Sequence, residues 1–126
     1  LSSGDIYAAV TLNTKNTAFP TSFIITGGET YAIVVNNLAQ AQAFVRQFPP
    51  DLSPNYPPEF PDAIFNPIFN ITSEIGNSID SKTAAIGSVL DQNNAGITLM
   101  KLGPDGKFTR IKIQKNPNGT YSYVPC

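Results

Sequence analysis

Asn70–Leu90, NITSEIGNSIDSKTAAIGSVL, is the stretch on which the reading of the fold turns. Its first half sets Ile71, Ile75 and Ile79 four residues apart, one face of a helix. Thr72 is a capping residue for such a helix, and Gly76 weakens it by about 1 kcal/mol relative to Ala. The last seven residues, Ala84–Leu90, form a short apolar run bounded by the turn-forming DQNNA and read as a strand. On that reading the chain leaves helix before residue 84 and enters a meander of four strands: AAIGSVL, GITLMKL, FTRIKIQK and TYSYV. GPDGK and NPNG supply the later turns. In FTRIKIQK, Ile111 and Ile113 share one face and Arg110 and Lys112 the other, an apolar side and a basic, wet side.

Upstream, DIYAAVTLN alternates, with Ile6, Ala8, Val10 and Leu12 on one side, which predicts a strand over residues 6–12. TSFIIT and TYAIVV are β-branched runs on either side of GGE, so a hairpin joins strands at 21–26 and 30–35, with Gly27 and Gly28 supplying positive φ. In NNLAQAQAFVRQFPP the apolar positions Leu38, Ala41, Phe44, Val45 and Phe48 switch to helical spacing. Asn36 or Asn37 caps this helix, and Pro49 and Pro50 stop it.

Between Pro49 and Pro67 lies a proline-rich ribbon. Seven of the eleven prolines fall within residues 47–67. Pro pins φ and cannot donate to a ladder, so an ordered, extended loop is expected at 49–67. Its aromatics, Tyr56, Phe60 and Phe65, serve either to pack the loop on its own core or to meet a partner. The whole chain is expected to be a single domain, residues 1–126. The expected fold is α+β: an antiparallel sheet of about six to seven strands, ending in a C-terminal meander, with one or two helices packed on one face.

Composition narrows the function. Charged residues make up 13% of the chain, against about 25% in ordinary soluble domains. A weakly charged polar surface does little to keep copies apart and suits an extracellular, cell-surface or particle-surface protein. The net charge of −1 gives no reason to expect nucleic acid. Residues 49–99 carry six acids and Lys82, and residues 100–126 carry five bases and Asp105. These regions meet either inside the fold or between molecules. No apolar run reaches the roughly 18 residues of a membrane span. Cys126, the single cysteine, can pair only with another chain.

Histidine is absent, which removes the commonest general base, the usual triads and the commonest zinc ligand. With one cysteine there is no thiolate cluster, and no cofactor or metal is expected. GPDGK lacks the spacing of a phosphate loop, and DQNNAG fails at positions five and twelve of a calcium loop.

The leading expectation is therefore a non-enzymatic protein that acts by self-assembly or by binding a protein partner. Its contact residues are Tyr56, Pro57, Pro58, Phe60 and Phe65 of the ribbon, with Arg110 and Lys112 of the basic stripe. Cys126 is a possible intermolecular disulfide. A first alternative is a small-ligand or glycan-binding module using Tyr121 and Tyr123. A second is a hydrolase using carboxylates such as Glu59 and Asp62, with Asp51 near them.

Overall fold

The computed structural model describes residues 1–52, 59–119 and 121–125. Its first element is a helix, α1 (Ser3–Lys15), where alternation predicts a strand. The Asp5 carboxylate accepts the Ser2 backbone N–H at 2.8 Å and the Ser2 hydroxyl at 3.2 Å, anchoring the first turn. Burial then follows the helical period. Ile6, Ala9, Val10 and Asn13 are buried, while Ala8 and Leu12, which a strand would turn inward with Ile6, are exposed.

Strands β1 (Thr21–Thr26) and β2 (Glu29–Val35) form the expected hairpin, with Thr26 opposite Glu29. Both loop residues have positive φ, +60° at Gly27 and +78° at Gly28, the conformation of a two-residue hairpin turn. Helix α2 (Leu38–Gln47) also stands where its period places it. Of the two candidate caps, Asn37 is used: its side-chain oxygen accepts the Gln40 N–H at 3.0 Å.

The next two helices overturn the reading of the central stretch. Helix α3 (Asp62–Ile75) begins inside the proline ribbon and carries Pro67 within it. It buries Ile64, Ile68 and Thr72 at four-residue spacing. Gly76, at φ +104°, ends it, so Ile71, Ile75 and Ile79 do not share one helix. Helix α4 (Ile79–Gln92) restarts at Ser78, whose hydroxyl accepts the Ser81 N–H at 3.0 Å. The run Ala84–Leu90 is therefore helical rather than extended. Its alanines and Gly87 let the helix lie close to the sheet: a Cβ on Gly87 would stand 3.8 Å from the Leu99 side chain. Of the described ribbon residues, 49, 50, 52, 60 and 61 are irregular. Asp51 and Glu59 pair through two backbone hydrogen bonds of 2.8 and 3.1 Å.

Strands β3 (Ile97–Leu102), β4 (Phe108–Lys115) and β5 (Tyr121–Pro125) complete the fold. The strand order is β1-β2-β3-β4-β5, antiparallel throughout. The described fold is α+β as expected, but it has four helices and five strands, not one or two helices and six to seven strands. Strand β4 pairs with β3 only from Phe108 to Arg110. Beyond that it pairs with β5, and this outer hairpin lies against α3 and α4.

The helices gather on one face of the sheet. Ile33 and Val35 of β2 and Ile97 and Leu99 of β3 form a core with Ile6 and Val10 of α1, Phe44 of α2, Ile64 and Ile68 of α3, and Val89 and Leu90 of α4. Tyr7 bridges the irregular region: its hydroxyl donates to the Phe48 carbonyl at 2.8 Å, and its ring lies 5.5 Å from that of buried Phe60. Gly96 joins α2 to β3. Its carbonyl accepts the N–H groups of Asn36 and Asn37, its φ is +67°, and a Cβ there would meet the Asn37 carbonyl oxygen at 2.7 Å.

Two outcomes are expected. Gly96→Ala combines left-handed strain with a backbone clash and should cost about 1–3 kcal/mol in a urea melt. Burial, and then the charge of Asp51, push the Tyr7 phenol from 10.0 up to about 12. The folded chain thus holds the proton more tightly, so this stability is complete below about pH 10 and is lost as pH rises through about 12. Tyr7→Phe should flatten that alkaline decline, measured as melting temperature against pH, while losing a hydrogen bond worth about 1 kcal/mol at neutral pH.

Candidate interaction surface

Side chains alternate across a strand, so the residues between those of the core point to the opposite face. On β1 and β2 these are Thr21, Phe23 and Ile25, and Thr30, Ala32 and Val34. On β3 and β4 they include Met100, Leu102 and Phe108. Among the described residues no helix packs on this face, and Phe23 and Ile25 are 61% and 79% exposed. The Phe23 and Phe108 rings nevertheless meet, with centroids 5.7 Å apart. Their strands are three steps apart, roughly 14 Å in a flat sheet. The contact has both rings leaning toward each other across β2 and β3. Ala32, directly opposite Phe23, is only 2% exposed although it belongs to neither apolar core cluster.

The same residues meet solvent along the outer edge. Val35 donates its N–H to the Pro20 carbonyl at 2.8 Å. Alternation from that pair turns the backbone groups of Ser22, Ile24 and Thr26 toward β2, and those of Thr21, Phe23 and Ile25 away from it. Natural edge strands are blunted by charge, proline or a bulge. TSFIIT has no charge and no proline, and its six pairs with β2 run without interruption. Phe19, just before it, is 55% exposed.

The residues expected to bind a partner are not gathered in one place. Phe60 is buried against Tyr7, so its ring belongs to the core. Phe65 is exposed on α3 and stacks on Phe69 at 6.1 Å. Lys112 is exposed, and Arg110 forms an ion pair with Asp91 at the end of α4. Tyr56, Pro57, Pro58 and Cys126 lie outside the described residues, as do the side chains of Tyr121 and Tyr123. Asp51, Glu59 and Asp62 are all exposed. Among the described residues no three potential ligands cluster to hold a metal ion, and no helix is long and apolar enough to cross a membrane.

Among the described residues the acidic middle and the basic end meet within the molecule at two points. Besides Arg110 with Asp91, Lys101 Nζ lies 2.7 Å from Asp80 and 3.9 Å from Glu29. The Tyr31 hydroxyl also donates to Asp80. Burial alone would push the Asp80 carboxyl up, but the bonds from Lys101 and Tyr31 and the ammonium charge outweigh it and hold it below the ordinary aspartate range. This network ties the first turn of α4 to the end of the sheet.

What sequence reasoning missed is the pairing of an uncharged edge with an open face. The edge could be read from TSFIIT, but the open face could not, because it depends on where four helices pack. No protein-family model, curated protein or solved structure matches the chain.

Proposed function

We propose that this chain is a non-enzymatic protein that assembles with a second copy of itself by antiparallel pairing of β1 with β1. The observation that carries this reading is the strand Thr21–Thr26: uncharged, continuous, and exposing backbone and apolar side chains at the same residues. A twofold axis at Phe23 would pair Thr21 with Ile25 of the second copy. All outward N–H and C=O groups of Thr21, Phe23 and Ile25 then find partners. The same register sets the two Phe23 side chains next to each other on the open face, so one contact buries apolar surface and satisfies the backbone.

Self-complementarity favours a second copy over an unrelated partner, since a twofold contact uses one patch twice. The low charged fraction of 13% supports an extracellular or particle-surface setting, where a weakly charged surface aids assembly. A six-residue edge is small against the roughly 1,200–2,000 Å² of a stable interface, so the pairing is expected to be reversible.

Sedimentation under reducing conditions, from about 10 μM to about 1 mM, should show a concentration-dependent shift from monomer to dimer. Ile25→Lys places a charge on the edge at an exposed site and should abolish the shift while leaving the melting temperature within a few degrees. A wild-type chain that stays monomeric over the whole range refutes the proposal. A variant that associates as well as the wild type refutes the β1 edge.

A further inference from the structure

The pairing surface leaves unused a groove of about 780 Å³ at the end of the sheet where the β1–β2 turn, the start of α4 and the β3–β4 turn converge. That volume is typical of small-molecule sites. Leu102, Pro104 and Ile111 are its apolar lining residues, and the other lining residues are mainly polar or charged. Glu29, Asp80 and Asp105 contribute carboxylates and Lys101 the only ammonium among the described lining residues.

These groups are not equally engaged. Lys101 is bound to Asp80 at 2.7 Å, and Asp80 also accepts the Tyr31 hydroxyl. Asp105 turns an oxygen into its own loop, accepting the Lys107 backbone N–H at 3.1 Å. Glu29 is half exposed and 3.9 Å from Lys101, beyond hydrogen-bond distance. One ammonium against three carboxylates leaves a formal excess of two negative charges in a groove that also has apolar lining. An anion entering there meets that excess, and a neutral molecule gains only the apolar contact. An organic cation gains from both.

We infer that this groove binds a small organic cation, with its ammonium on the Glu29 carboxylate and its apolar body on Leu102, Pro104 and Ile111. Glu29 is the residue that sets the charge preference, because it has the loosest tie within the groove. Lys101 holds Asp80 and closes the far end. The groove is at the end of the sheet and none of its lining residues belongs to β1, so occupancy and β1 pairing use different residues.

The test is an amide-shift titration of the full chain at low salt with phenethylamine, and with 3-phenylpropionate as an anion of the same body. The amine should give saturable shifts confined to the amides of residues 28–30, 102, 103 and 105, and the anion none. Glu29→Gln removes a charge at a half-exposed position where the fold does not depend on it, and should weaken the amine about fivefold. The inference is overturned if the amine gives no saturable shift at those amides, if the anion shifts them equally, or if Glu29→Gln binds the amine as tightly as the wild type.

Discussion

A sheet in an α+β domain has two faces, and here the helices cover only one. Everything else depends on that constraint. Three helices, α2, α3 and α4, occupy the connection between β2 and β3, which are neighbours in the sheet. They pack with α1 against one apolar surface, with Ile33, Val35, Ile97 and Leu99 as its centre. The opposite side must then manage its own apolar residues. It does so in part through the Phe23 and Phe108 rings, which meet across β2 and β3 while Phe23 stays exposed. At β1 the sheet has no further strand.

The parts of the fold set by local chemistry were legible in the residues. Two glycines with positive φ make the β1–β2 hairpin, an Asn cap and a Pro-Pro stop frame α2, and the turn residues of GPDGK separate β3 from β4. The misread parts share a physical reason. In DIYAAVTLN, Ile6 and Val10 satisfy both a strand and a helix, and the cue that decides needs a residue before the run: Ser2 with Asp5 three residues later, a helix-start pair. In AAIGSVL, small residues that look like a strand or turn are what allow α4 to lie close to Leu99. Pro67 argued for extended chain, yet helix α3 carries it, because Ile64, Ile68 and Thr72 gain a buried face there. Tertiary burial outweighed local propensity in each case.

The candidate surface was legible only in half. An uncharged TSFIIT is visible in the residues, but whether its open side is covered depends on the packing of elements far along the chain. Charge asymmetry gave two arrangements and the structure supplies contacts for the internal one, Asp80 with Lys101 and Asp91 with Arg110. The proposed assembly therefore rests on the edge and on Phe23 and Ile25, not on attraction between an acidic middle and a basic end. Phe60, an aromatic of the ribbon, serves the core through Tyr7, which ties the irregular segment to α1.

Hydrogen exchange along β1 distinguishes a free edge from a paired one, because adjacent amides on this strand report opposite edges. In dilute solution the amides of Ser22, Ile24 and Thr26 should exchange slowly, and those of Thr21, Phe23 and Ile25 quickly. At high concentration the second set should become protected while the first is unchanged. Rapid exchange at Phe23 and Ile25 at every concentration would contradict β1 pairing, as would protection already complete in dilute monomer, since the edge would then be covered by the chain itself.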